Sequence, residues 1–202
     1  MVTVSPDAVR VESQLQAGEL SCPSCGGGRL GPWGWARPRR VGRASDREWV
    51  RPRRSRCRAC SATHVLLDVR MLLRRADWVE LVGRALTLKA SGVAQQPIAR
   101  DLGVPRSTVR GWLDRFAAVV ERVRAHFTAW ALFKDPGLSR IEPSGTPLGD
   151  AVAAIVAAVS AAEAVTMWEF VSAATGGRLL CNTSAPWPAP WLAFVKAPIS
   201  SR

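Results

Sequence analysis

The sequence predicts a mainly α-helical protein with a small β ribbon near its N-terminal end. Two Cys-x-x-Cys pairs, beginning at Cys22 and Cys57, flank a segment rich in Trp and Arg that has the pattern of two strands. From residue 78 to residue 133 apolar side chains recur at helical spacing, with a glycine turn at Gly103. An Ala-rich stretch over residues 148–174 has helical spacing as well. A chain of 202 residues is long enough for one or two small domains.

The paired cysteines predict a metal site in this ribbon. Two residues between the thiols of each pair let the backbone fold into a knuckle with both sulfurs aimed at one ion. Four thiolates form a closed tetrahedral site, so we expect one structural Zn²⁺ and no open coordination position. Redox thiols and unmetallated structural cysteines are the alternatives. The predicted ligands are Cys22, Cys25, Cys57 and Cys60. We expect His64, in a short closing strand over residues 63–67, to be a non-ligand and Cys181 to be a free thiol.

Between the cysteine pairs, residues 33–41 and 48–56 predict an Arg-rich hairpin with a turn over residues 42–46. Trp33, Trp35 and Trp49 interleave with its arginines. Such a hairpin is a plausible phosphate-contacting arm, although the tryptophans could instead cover a small metal-stapled core. The arginines predicted to meet phosphates or the adjacent minor groove are Arg37, Arg39, Arg40, Arg53 and Arg54.

The stretch from Gln95 to Phe116 predicts a helix-turn-helix. Ala99 is small where two helices must approach closely, and Gly103 occupies a turn position where a positive φ is expected. We expect Ser107 or its neighbours to cap the second helix, whose N-terminal residues would then meet base edges in the DNA major groove. An ordinary αα-hairpin with a glycine turn is the alternative. The predicted contacts to double-stranded DNA are Arg106, Ser107, Thr108, Arg110 and Arg115, with Arg110 the first choice for a guanine.

The charge distribution favours a polyanionic partner. The net charge is +12, and 25 of the 28 basic residues are Arg, the side chain that pairs with phosphate and with guanine edges. The basic excess lies entirely within residues 1–134. A solvated basic face, as Arg-favouring codons of a GC-rich genome would give, is the alternative. We expect no small-molecule substrate.

Two further helical segments are predicted around the helix-turn-helix. Asp77 is placed to cap a helix over residues 77–90, and the third helix of the domain is expected to continue to about Phe133. A helix of that length needs a partner, either the Ala-rich helix of its own chain or a second copy in a homodimer.

The predicted division of the chain is a flexible lead-in at 1–20, the ribbon at 21–70, the helix-turn-helix domain at 74–133, a linker at 134–147, the Ala-rich helix at 148–176 and a poorly ordered or extended Pro/Trp-rich tail at 177–202.

The sequence gives no indication of a membrane partner. The N-terminus lacks a basic region followed by an apolar run, and the longest uncharged apolar run, residues 151–162, is too short to span a bilayer. We therefore expect a cytoplasmic, nucleoid-associated protein.

The order of these parts resembles an actinobacterial family of transposase-associated proteins, in which a zinc ribbon precedes a transposase-type helix-turn-helix. The likeness covers most of residues 20–180 and is carried by Cys22-Pro-Ser-Cys25-Gly-Gly, Gly31-Pro-Trp-Gly, Arg51-Pro-Arg-Arg, Cys57-Arg-Ala-Cys60, Thr63-His64-Val65-Leu66-Leu67, Ile98-Ala99-Arg100-Asp101-Leu102-Gly103, Ser107-Thr108-Val109-Arg110-Gly111-Trp112-Leu113 and Thr175-Gly176-Gly177-Arg178-Leu179-Leu180. The resemblance implies DNA binding in connection with mobile elements.

The chain departs from a transposase in its C-terminal third. A nuclease of the DDE class needs three separated carboxylates on strands. The acids after residue 134 fall in linker or helical sequence, namely Asp135, Glu142, Asp150, Glu163 and Glu169. We therefore expect a DNA-binding protein that is not an enzyme. The alternatives are an accessory or truncated transposase that works with a separate nuclease, and a transcription regulator or protein-interaction module that uses the ribbon.

Overall fold

A computed structural model describes residues 1–43, 46–182 and 185–190 of the chain. The fold is mainly α with a small sheet, as the sequence predicts. The strands are β1 (Val2–Val4), β2 (Leu30–Trp35), β3 (Arg39–Val41), β4 (Glu48–Val50), β5 (Arg53–Cys57) and β6 (Thr63–Asp68). The helices are α1 (Ala8–Ala17), α2 (Val79–Ala90), α3 (Gln95–Asp101), α4 (Arg106–Ala117), α5 (Val120–Lys134), α6 (Pro147–Ala161) and α7 (Met167–Thr175).

The predicted hairpin forms, but each of its arms consists of two short strands. β2 pairs with β5 at its base and β3 pairs with β4 further out, both antiparallel. The base belongs to a sheet of order β1-β6-β5-β2. A bulge between Pro32 and Trp35 interrupts the β2–β5 ladder, and Gly34 within it has φ 92°, a value that glycine adopts without strain. Of the predicted turn, residues 44 and 45 lie outside the described residues.

Residues 1–20 differ from the expected flexible lead-in, because they form β1 and α1. β1 pairs in parallel with β6, and Asp7 caps α1 by accepting hydrogen bonds from the backbone of Val9 and Arg10. α1 buries only Val11 and Leu15. Two apolar positions give weak periodicity, so tertiary contacts with the ribbon rather than local sequence decide this part of the fold.

The helix expected to continue to Phe133 is two helices. α4 ends at Ala117 and α5 begins at Val120, because Val119 leaves the helical region with φ −126° and ψ 9°. The break redirects α5 so that it packs along α6 of the same chain. Apolar residues continue across the break at nearly helical spacing, which explains why the sequence suggested one helix.

The Ala-rich segment also forms two helices, α6 and α7, with Glu163 at φ 52° in the connection. The described part of the expected loose tail packs on the helical core, where Leu179, Leu180 and Trp187 are buried. Trp191 and the rest of residues 191–202 lie outside the described residues. In the part of the chain that the structure covers, no helix is long and apolar enough to cross a membrane.

Hydrogen bonds connect the ribbon to the start of α2. The amide of Gly42 donates to Ala76 O at 2.7 Å, and the indole of Trp78 donates to Asp46 O at 3.3 Å. Asp77, expected as the cap of α2, instead forms an ion pair with Arg43. The N-cap residue is Trp78, which makes no side-chain capping bond. These contacts attach the ribbon to the residues that lead into α2, the first helix of the domain that contains the helix-turn-helix.

Candidate metal centre and nucleic-acid interface

The four paired cysteines come together at one end of the ribbon. Their sulfur atoms all lie within 4.8 Å of one another, with Cys22 Sγ 3.7 Å from Cys60 Sγ and Cys25 Sγ 3.7 Å from Cys57 Sγ. A tetrahedral zinc–thiolate site with Zn–S bonds of about 2.3 Å requires sulfur separations of about 3.8 Å. The predicted ligand set therefore has the spacing of a four-thiolate site and could hold a metal ion.

Backbone amides within the two Cys-x-x-Cys segments donate hydrogen bonds to the sulfurs. Ser24 N donates to Cys22 Sγ at 3.4 Å, and the amides of Ala59 and Cys60 each donate to Cys57 Sγ at 3.4 Å. Hydrogen bonds, first among them that from the amide of Cys60, lower the pKa of Cys57 to about 6, whereas, despite a backbone hydrogen bond with Ala62, the neighbouring thiols raise the pKa of Cys60 to about 12. The amide hydrogen bonds to Cys57 stabilise its thiolate, which is the form that binds metal.

Gly28 completes the cradle around the sulfurs. Its carbonyl accepts a hydrogen bond from Cys22 N at 2.7 Å. A Cβ at this position would overlap Cys57 Sγ and lie 2.9 Å from Cys25 Sγ. The sulfur atoms therefore occupy the space that a side chain at position 28 would need. This close approach of backbone and sulfur atoms fits a four-sulfur metal site.

His64 lies beside the cysteines, outside the ligand cluster. Its Nε2 is 3.3 Å from Cys22 Sγ and its Nδ1 is 3.1 Å from the amino group of Met1. Sequence reasoning expected a non-ligand but missed this contact with a ligand sulfur. The imidazole reaches Cys22 because β6 pairs antiparallel with β5, and this pairing could not be read from the sequence.

The helix-turn-helix has the expected turn but not the expected cap. Gly103 has φ 62°, and Ala99 and Val104 on either side of the turn are buried. The N-cap of α4 is Pro105, with no side-chain hydrogen bond, so Ser107 does not cap the helix. α4 is anchored by an apolar face whose buried members are Val109, Trp112, Leu113 and Phe116.

The opposite face of α4 carries the residues predicted to contact DNA. Arg106, Ser107, Arg110 and Arg115 are exposed and Thr108 is partly exposed. Two of the arginines have neighbours on their own helix. Arg110 lies 4.0 Å from the carboxylate of Asp114, and Arg115 donates to Gly111 O at 2.6 Å. Arg106, Ser107, Thr108 and Arg110 are thus accessible in the N-terminal half of α4, whereas Arg115 is accessible in its last turn.

The predicted hairpin arginines fall into different environments. Arg37 and Arg40 are exposed, and Arg54 is partly buried in β5. Arg53 is engaged already, because it donates to both carboxylate oxygens of Glu12 at 2.8 and 3.1 Å and to Gly34 O. Arg39 is half-buried near Met71, and burial lowers its pKa. Arg37 and Arg40 are therefore better placed for a phosphate than Arg39 and Arg53.

The structure also shows arginine–tryptophan contacts on the hairpin that sequence reasoning did not assign. The guanidinium of Arg40 lies 4.9 Å from the ring centre of Trp49, and that of Arg56 lies 4.7 Å from the ring centre of Trp33. Trp35 contacts Arg53 in the same way, at 4.8 Å. The interleaving of Arg and Trp was the available signal, but the pairing depends on strand register.

Comparison with known proteins finds a match for one segment of the chain. Residues 74–118, which include α2, α3 and α4, match the family model of a homeodomain-like domain. No curated protein and no solved structure matches the chain. Homeodomain-like domains are three-helix variants of the helix-turn-helix that place their last helix in the major groove. The match and the exposed basic face of α4 together indicate that this chain binds DNA.

Proposed function

We propose that this protein recognises a specific sequence in double-stranded DNA through the N-terminal half of α4. The observation that carries the proposal is the two-faced character of this helix. Its apolar face is fixed in the core, whereas Arg106, Ser107 and Arg110 project from the other face. A helix held in this way can enter the major groove without rearranging the domain.

The ribbon contributes a second contact region in this proposal. One Zn²⁺, held by Cys22, Cys25, Cys57 and Cys60, would supply a structural cross-link between the two knuckles. The hairpin between the knuckles then presents Arg37 and Arg40 to phosphates near the site read by α4. The hydrogen bonds of Gly42 and Trp78 support this arrangement, because they connect the hairpin tip to the start of the helix-turn-helix domain.

A role with mobile elements and without enzymatic activity is the finer part of the proposal. The homeodomain-like match fits a transposase-type helix-turn-helix, and the order of ribbon and helices supports the same connection. The acids of the C-terminal third lie at helix ends, in helices and in connections. Asp150, for example, is in the first turn of α6 and accepts hydrogen bonds from Ser144. Any strand transfer would then require a nuclease on another chain.

The experiment that tests DNA recognition is selection of binding sites from a random duplex library, followed by affinity measurement on the selected site. We expect one enriched motif that contains a guanine read by Arg110. Arg110→Ala should lower affinity about tenfold or more and relax selection at that base, since a bidentate Arg–guanine pair gives roughly 1–3 kcal/mol of discrimination.

The matched control is Arg124→Ala, which removes the same charge from α5, where Arg124 pairs with Glu121. It should leave the selected motif unchanged and affinity nearly so. The absence of any enriched motif, or an Arg110→Ala variant with unchanged base preference, would refute recognition by α4. Binding of the selected motif within terminal inverted repeats beside the gene would support the mobile-element role, and its absence there would count against it.

A further inference from the structure

The exposed tryptophans of the chain's described residues are confined to the hairpin. Trp33, Trp35 and Trp49 are 49 %, 51 % and 67 % exposed, whereas Trp112, Trp130, Trp168 and Trp187 are buried and Trp78 is partly buried in the body of the protein. Leaving so much indole surface in water is unfavourable, because apolar surface is stabilised by removal from water. Three such side chains on one hairpin therefore need an explanation that the metal-stapled core does not provide.

Each of these rings has an arginine against it. Arg56 lies over Trp33, Arg53 over Trp35 and Arg40 over Trp49, with guanidinium-to-ring distances of 4.7–4.9 Å. Trp35 has a second guanidinium beside it, that of Arg51, at 5.9 Å from the ring centre. The exposed fractions nevertheless show that much of each indole stays accessible. The contacts also hold the rings in fixed positions, which lowers the conformational entropy lost when a ligand stacks on them.

The charge around the rings selects the kind of ligand. Residues 29–58 contain 11 arginines and two acids, Asp46 and Glu48. Among the described residues, only Arg43 and Arg53 of this segment form an ion pair with a carboxylate. The remaining positive charge favours a polyanion, and flat aromatic faces beside free cations match a polyanion that carries flat bases.

We propose that the hairpin is a stacking surface for unpaired nucleotides, in which Trp33, Trp35 and Trp49 stack on bases and the hairpin arginines that have no carboxylate partner among the described residues, such as Arg40 and Arg56, contact the backbone. A paired base in a duplex offers its edge but not its face, so this surface would select single-stranded or locally opened DNA. The function is additional to duplex recognition by α4 and does not depend on it. Together, the two surfaces would suit a junction between duplex and single strand.

The first test uses the unaltered protein and two strands of equal charge. Binding of a twelve-nucleotide oligo(dT) is compared with binding of a twelve-unit abasic strand, by fluorescence anisotropy at fixed salt. Stacking on bases predicts at least tenfold tighter binding of oligo(dT), because each stacked base contributes substantially to affinity. Equal affinity for the two strands would overturn the proposal and leave the tryptophans as a surface for another partner, such as a protein.

The second test assigns the effect to the rings. Trp33→Leu and Trp49→Leu keep an apolar side chain without an aromatic face, and each should weaken oligo(dT) binding about tenfold while leaving the abasic strand unaffected. The corresponding Trp→Phe variants should retain most of the affinity. Stoichiometric metal content verifies that the ribbon is intact. Leu variants that bind oligo(dT) as tightly as the wild type would also overturn the proposal.

The Arg110→Ala variant separates this inference from the proposed function. It should bind oligo(dT) within about twofold of the wild type while binding the selected duplex more weakly. Stacking that persists when no duplex motif can be selected would refute only the proposed function. Duplex recognition without preference for bases over abasic sites would refute only the stacking surface.

Discussion

The imidazole Nε2 of His64 lies 3.3 Å from Sγ of Cys22, within hydrogen-bond distance of a sulfur acceptor. Both residues are buried. Burial, and then the positive N-terminus, hold the pKa of His64 below its usual value, so the imidazole is neutral and carries one N–H. Because Nδ1 faces the amino group of Met1, which is a donor, the imidazole proton belongs on Nε2 and is donated to the sulfur.

This contact predicts that His64 strengthens metal binding without being a ligand. His64→Ala should lower zinc affinity about 10–100-fold, the usual effect of losing a partner of a ligand. Competition with a chromophoric chelator measures the change. His126→Ala is the control, since His126 is partly buried in the helical part of the protein, where it contacts Ala174 O. Its zinc affinity should match that of the wild type, and an unchanged affinity in His64→Ala would contradict the assigned role.

Gly28 and its neighbour Gly27 provide a matched pair for the metal cradle. A Cβ at Gly28 would overlap Cys57 Sγ, whereas a Cβ at Gly27 would have no neighbour within 4 Å. Gly28→Ala should therefore prevent stoichiometric zinc binding, and Gly27→Ala should bind one zinc per chain. Metal analysis of protein purified without added zinc gives the result. Equal zinc content in the two variants would show that the sulfurs do not require the space at Gly28.

The metal cradle and the turn at Gly103 could be predicted from the sequence because both depend on local spacing. Two residues between thiols determine a knuckle, and a glycine between two short amphipathic segments determines the positive φ of Gly103. The start of the second helix was also located closely, within residues that match a homeodomain-like domain. In these places local sequence and tertiary structure require the same residues.

The remaining features depend on contacts between distant parts of the chain. Arg53 pairs with Glu12, 41 residues away, so its apparent availability for phosphate could not be judged from a run of arginines. Asp77 is of a residue type that often caps helices and lies just before α2, but its side chain pairs with Arg43 of the hairpin instead. The break at Val119 is set by the packing of α5 along α6, since the apolar spacing alone does not change there.

Replacing Gly83 with alanine should destabilise the protein, although the same replacement at most helical glycines is stabilising. Replacing glycine with alanine inside a helix normally stabilises it by about 1 kcal/mol. A Cβ at Gly83 in α2, however, would overlap the buried indole of Trp168 in α7. Gly83→Ala should therefore lower the free energy of unfolding by about 1–3 kcal/mol, the typical cost of overpacking. Urea denaturation followed by circular dichroism measures the change.

Gly111 in α4 is the matched control for that prediction. A Cβ there would meet only the flexible end of Arg115, at 2.9 Å, and this side chain can move. Gly111→Ala should be neutral or stabilising by up to about 1 kcal/mol. If both alanine variants were stabilised, the close approach of α2 and α7 at Gly83 would be wrong.

Duplex binding should depend steeply on salt, because the exposed arginines of α4 and the hairpin would displace counterions from DNA. Six or more phosphate contacts predict that affinity falls about 10³-fold or more between 50 and 200 mM salt.

Arg40→Ala should reduce the slope of log affinity against log salt by about 1, since Arg40 is exposed and, among the described residues, forms no ion pair. Arg53→Ala should leave the slope unchanged, because Glu12 already neutralises that guanidinium. Equal slopes for wild type and Arg40→Ala would remove Arg40 from the duplex interface, and a nearly flat salt response would contradict the proposed phosphate contacts of the hairpin.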